Sequence, residues 1–126
     1  MRVLVYGASI KPIRYSNIAM KMLKDDNHEI LAIGGRKGEV EGIEIQTGQP
    51  ELEDIHTITL YVGPARQVDH YDYLLRLSPK RIIFNPGTEN LEFERMCTEA
   101  GIYAQSACTL VLLRTGQFNM KKNNTL

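Results

Sequence analysis

The sequence has no net charge: 15 Lys and Arg stand against 15 Asp and Glu, with three His. A duplex-binding protein carries a net basic face, so nucleic acid is not the expected partner, although a local basic cluster can exist inside a neutral total. Long hydrophobic runs are missing too. No segment reaches the roughly 18 apolar residues that span a bilayer, so no membrane association is expected. The opening Met1–Tyr6 is cut by Gly7 too soon for a signal peptide and reads as the first strand of a cytoplasmic protein. Cysteine is scarce: Cys97 and Cys108, with ten residues between them, no CxxC and no His nearby. That excludes a zinc site and a disulfide framework as organising features.

What remains is ordinary globular composition, 43% hydrophobic and 24% charged over 126 residues. It suits one packed domain, expected over 1–120, with a polar, frayed tail at 121–126. Short apolar runs ended by Gly or Pro alternate with helical patterns. Val3–Tyr6, Glu29–Ile33, Thr57–Val62, Arg81–Phe84 and Ile102–Ala104 read as strands. Asn17–Asp26, with Ser16 as N-cap, Gln67–Leu77, Leu91–Ala100 with Gly101 as its stop, and Thr109–Arg114 read as helices. Pro50–Asp54 is expected to make one helical turn, and Ile43–Ile45 a short extended piece in a connection. Strand–helix alternation at this spacing predicts a Rossmann-like, three-layer α/β/α domain with a five-stranded, mostly parallel sheet. In such sheets the ligand crevice lies beyond the carboxyl ends of the strands, which directs attention to the loops that follow them.

The first of these loops, Gly7–Asn17, is the most informative. Gly7 permits a tight turn and a close ligand approach. Ser9 and Ser16 offer hydroxyls, Lys11 and Arg14 positive charge, and the following helix aims free N–H groups at the same place. These parts suit a phosphate or pyrophosphate. The loop is neither GxGxxG, since Ile10 and Pro12 occupy places of further glycines, nor a Walker loop, since no Gly-Lys-Ser/Thr follows. The turn after the second strand reads Gly34-Gly35-Arg36-Lys37, with no acid before Glu39. An NAD site usually places Asp or Glu there to hold the ribose hydroxyls. Two cations instead favour a ligand with an extra ribose phosphate, NADP or coenzyme A; the plain alternative is a solvated Arg-Lys turn.

These motifs resemble those of the small stand-alone CoA-binding proteins related to the N-terminal domain of the succinyl-CoA synthetase alpha subunit. The resemblance runs from about Arg2 to Phe118. It is carried by Val5-Tyr6-Gly7-Ala8-Ser9, Lys11-Pro12-x-Arg14-Tyr15-Ser16, the turn after the second strand, Val62-Gly63-Pro64, Asn85-Pro86-Gly87 and Cys108. It implies a Rossmann-like fold that binds CoA. By position, Gly7, Ala8, Ser9, Lys11, Arg14 and Ser16 would cradle the pyrophosphate, and Arg36 and Lys37 would meet the ribose 3′-phosphate. Val62, Gly63 and Pro64 would line the adenine side, and Asn85, Pro86, Gly87 and Thr88 would run past the pantetheine arm. The sequence departs from the family after Cys108, where Thr109-Leu110-Val111-Leu112 replaces Pro-Lys-x-Glu. It also lacks the synthetase's second domain with the phosphohistidine segment, so ligase machinery is absent from view.

Other candidates for chemistry are sparse. Cys108 precedes a short helix and could meet a CoA thiol in a mixed disulfide, but a small buried hydrophobe is the commoner fate of a free Cys. Cys97 belongs to an apolar helical face. His28, His56 and His70 are scattered, none beside a nucleophile, and no catalytic His is expected. Glu89 is the one carboxylate of Glu89, Glu92 and Glu94 near the crevice. Tyr15 could stack on a base or pack on its own helix. The sequence therefore points to a non-catalytic module that binds CoA or acyl-CoA as a small-molecule nucleotide ligand, with an unidentified protein partner left open. An NADP-binding oxidoreductase-like domain and a ligand-free interaction domain are the alternatives.

Overall fold

A computed structural model describes residues 1–119. The elements run β1 (Arg2–Ala8), α1 (Tyr15–Asp25), β2 (Glu29–Gly34), β3 (Gly38–Val40), β4 (Ile43–Gln46), β5 (Thr57–Leu60), α2 (Pro64–Gln67), a 3₁₀ turn (Val68–His70), α3 (Tyr71–Arg76), β6 (Arg81–Phe84), α4 (Leu91–Glu99), β7 (Tyr103–Ser106) and α5 (Thr109–Arg114). They form one seven-stranded sheet in the order β3-β4-β2-β1-β5-β6-β7. All pairings are parallel except β3–β4. The Rossmann-like α/β reading is thus realised, with two strands more than the five expected.

The extra pair comes from a hairpin. Val40 faces Ile43 across a two-residue turn in which Glu41 and Gly42 both have positive φ, 49° and 86°. That is the backbone of a primed turn, whose twist matches its strands. The resulting β4 then pairs in parallel with β2 through Ala32–Ile45 and Ile33–Gln46. What looked like a connection is therefore part of the sheet.

Alternation along the strands sends side chains to two cores. On one face Leu4, Tyr6, Ile58, Leu60, Ile82 and Phe84 pack with Tyr71, Tyr73 and Leu74 of α3 and Phe93 and Cys97 of α4. On the other, Val3, Val5, Ala32 and Ile83 pack with Met20 and Leu23 of α1, Leu112 of α5 and Phe118. Helices thus cover both faces, as right-handed parallel crossovers require.

Several local expectations shift. The N-cap of α1 is Arg14, not Ser16, and makes no side-chain cap bond; Ser16 is buried in the first turn. The helix expected over Gln67–Leu77 begins at Pro64, where proline's fixed φ suits a first turn, and tightens to 3₁₀ at Val68–His70. Pro50–Asp54 makes no helical turn; Tyr73 Oη donates to the Pro50 carbonyl at 2.6 Å and holds this segment against α3. The third strand ends at Leu60, two residues before Val62, and the last strand is Tyr103–Ser106. Gly101 (φ 80°) does close α4 as expected. The expected frayed tail at 121–126 lies outside the described residues.

Candidate functional site

A cleft of about 1210 Å³ opens beyond the carboxyl ends of β2, β1, β5 and β6. Its centre is the loop after β1. Gly7 has φ 98°, and a Cβ there would stand 3.0 Å from the backbone carbonyl carbon and oxygen of Tyr61. Only glycine lets β1 turn so close to β5. The turn is then fixed by short bonds: Lys11 N–H to Ser9 Oγ at 3.1 Å, Arg14 N–H to the Lys11 carbonyl at 3.1 Å, and Asn17 Nδ2 to the Ser9 carbonyl at 2.9 Å. Asn17, 1% exposed, thereby ties the loop to the first turn of α1. Among the described residues no acceptor meets the Tyr15 and Ser16 amides. Those N–H groups and the positive end of the helix dipole lie where an anion is favoured.

The neighbouring loops complete the walls. Gly34 lies so near the Ala8 carbonyl that a Cβ would meet its oxygen at 2.2 Å, whereas Gly35 and Gly63 face open space. Four cations line the cleft, Lys11, Arg14, Arg36 and Arg66, against one carboxylate, Asp69. Among the described residues none of the four forms an ion pair.

Of the residues singled out in the sequence, Gly7, Ala8, Ser9, Lys11, Arg14, Ser16, Arg36, Val62, Gly63, Pro86 and Gly87 line this cleft. Val62 does so while only 8% exposed. Lys37, Pro64, Asn85 and Cys108 are not on its wall. Lys37, the residue after Arg36, instead lines a second depression with Glu39 and Glu44 on the β3–β4 hairpin.

Asn85 is 2% exposed and its side chain is fully engaged. Nδ2 donates to Thr59 Oγ1 at 2.8 Å and to the Leu60 carbonyl at 2.9 Å, while Oδ1 accepts the Thr109 N–H at 2.8 Å. It ties β5, the loop after β6 and the start of α5 together beneath the cleft. Gln67, with no exposure, is a second tie: Nε2 donates to the Val62 and Thr88 carbonyls, both at 2.8 Å, and Oε1 accepts from Asn90 Nδ2 at 2.9 Å. Cys108, half-buried, is the residue before α5. Cys97 is fully buried, and burial with the nearby Glu94 pushes its thiol up to about 12.

The cleft also holds groups that the sequence reading did not assign to the site: Tyr6, Thr47, Gly48, Gln49, Tyr61, Arg66, Asp69 and His70. Tyr6 Oη and His70 Nδ1 share a hydrogen bond of 2.6 Å, with the rings edge-on at 5.3 Å. Sixty-four positions separate them, so no local motif announces the pair. Thr47–Gln49 escaped notice because β4 was not expected to be a sheet strand with a carboxyl end of its own. Among the described residues there is no cluster of three or more metal-ligating side chains, and no helix is long and apolar enough to cross a membrane.

Fold and cleft together define a Rossmann-like α/β domain with a cation-lined crevice at its strand ends. The family model for the CoA binding domain matches residues 1–114, and the chain belongs to that family. Among solved structures, an uncharacterized protein is 44% identical with a TM-score of 0.90, over 93% of this chain and 97% of that one. A protein from Thermus thermophilus is 23% identical (TM-score 0.81, over 93% and 90%), and a conserved hypothetical protein from Pyrococcus furiosus is 27% identical (TM-score 0.76, over 87% and 97%). No curated protein matches the sequence.

Proposed function

We propose that the chain is a non-catalytic carrier or sensor of CoA or an acyl-CoA, holding the pyrophosphate in the loop after β1. The observation that carries this reading is the cleft's charge and shape in a CoA-binding domain: Gly7 is turned against Tyr61, and Lys11, Arg14 and Arg36 line the cleft with no ion pair among the described residues. A pyrophosphate placed between Lys11 and Arg14 accepts charge-assisted bonds, each worth about 1.5–3 kcal/mol. Arg36, beyond the end of β2, is then the group for the ribose phosphate. Membership of the CoA binding domain family favours CoA over NADP. Among the described residues Cys108 is off the cleft wall and His70 is engaged with Tyr6, which favours binding over turnover. A partner protein that receives the ligand and a cytoplasmic location fit this role.

Calorimetric titration with CoA, acetyl-CoA, NADP and NAD at two salt concentrations tests it. CoA or acetyl-CoA should bind best and weaken with salt. Arg14→Ala and Arg36→Ala should each cost about tenfold, about 1.4 kcal/mol, while Lys37→Ala should cost little. Preference for NADP, or no binding, would overturn the reading.

A further inference from the structure

We propose that Arg66 and His70 form a second anion-binding subsite of the cleft, with Tyr6 as the residue that orients His70. This rests on the CoA reading above; the group it takes is an anionic oxygen group of the bound CoA compound.

The subsite is built from three elements. Arg66 in α2 and His70 in the following 3₁₀ turn stand four residues apart, a spacing that puts both on one side of a helical stretch, and both line the cleft. Tyr6 comes from β1 and is 2% exposed. Burial, and secondarily Tyr73, pushes its hydroxyl up to about 12, so it keeps its hydrogen at neutral pH. His70 Nδ1 lies 2.6 Å away, and in the proposed subsite the phenol is the donor and Nδ1 the acceptor. A neutral imidazole that accepts at Nδ1 carries its own hydrogen on Nε2. In that tautomer the ring is a donor at Nε2. Arg66 supplies further donors and a full charge that no carboxylate pairs among the described residues. Asp69 sits on the same wall and opposes part of that charge.

Tyr6 belongs to the core that packs on α3, whereas the phosphate loop leads into α1 on the other face of the sheet. The subsite is therefore set apart from Lys11 and Arg14. If the loop after β1 takes the pyrophosphate, the anion at Arg66 comes from one of two sources: a carboxylate on the acyl chain, or the ribose phosphate seated here and not at Arg36.

The test titrates the full chain with CoA, dephospho-CoA, acetyl-CoA and glutaryl-CoA, comparing wild type with Arg66→Met, His70→Gln, Tyr6→Phe and Asp69→Asn, each checked by its melting temperature. Arg66→Met and His70→Gln should shrink one affinity ratio about tenfold. Collapse of glutaryl-CoA over acetyl-CoA identifies a carboxylate; collapse of CoA over dephospho-CoA identifies the ribose phosphate. Tyr6→Phe should move the same ratio in the same direction by about threefold, which a merely structural role would not do, since it would weaken all four ligands alike. Asp69→Asn should tighten the anion-bearing ligand. Unchanged ratios in both Arg66→Met and His70→Gln, with wild type still binding CoA, overturn the subsite alone. Failure of wild type to bind any of the four overturns the CoA reading and the subsite with it.

Discussion

Replacing Asn85 with Ala separates a structural tie from a ligand contact. The change removes bonds to Thr59 Oγ1, the Leu60 carbonyl and the Thr109 N–H. Thr59 keeps its 2.8 Å bond to Thr109 Oγ1, so the loss falls on two groups, the Leu60 carbonyl and the Thr109 amide. An unsatisfied buried polar group costs about 1–3 kcal/mol, so the pair amounts to about 4 kcal/mol. For a domain of this size that lowers Tm by about 15 °C. Urea unfolding followed by far-ultraviolet circular dichroism measures it directly. At ligand concentrations high enough to saturate the folded fraction, CoA affinity should change much less than stability does. An Asn85→Ala protein with wild-type stability and strongly weakened CoA binding would refute the tie and return Asn85 to the ligand.

Other outcomes follow from the same geometry. Gly7→Ala forces a side chain into φ 98° and against the Tyr61 backbone; it should cost about 3 kcal/mol in urea unfolding, whereas Gly63→Ala, with open space at its Cβ, should leave stability within about 0.5 kcal/mol. Burial pushes the Tyr6 and Tyr61 hydroxyls up to about 12 from 10.0. Because these raised values belong to the folded state, their stabilisation is complete below pH 10 and is lost as pH rises toward 12. Stability measured across that window should fall, and Tyr6→Phe should flatten the fall. Desolvation first, then Arg81, the N-terminal amine and Lys80, lowers His56. The unfolded chain then takes up the proton first, so stability should decline as pH drops below 6.5, and His56→Gln should reduce the slope. With Cys97 buried and raised, a small aromatic disulfide should titrate one thiol, Cys108, in the native protein and both in denaturant.

The sequence by itself determined the layered α/β class, five of the seven strands and the loop after β1, because each rests on local signals. Apolar runs of three to six residues, helical periodicity around Ala19 and Leu23, and Gly7 and Gly101 at turning points act over a few residues. Arg14 and Arg36 reach the cleft because loops after adjacent parallel strands must open at the same end of the sheet. The tertiary structure alone decided which side chains stay free for a ligand. Asn85 and Gln67 lie in or beside crevice loops, yet packing consumes their hydrogen bonds. Arg36 and Lys37 look equivalent in sequence, yet the hairpin turns one into the cleft and the other away from it. Tyr6 reads as one more apolar strand residue and His70 as a scattered histidine. Their bond exists only because β1 and the turn after α2 pack together, a long-range contact that no spacing along the chain encodes.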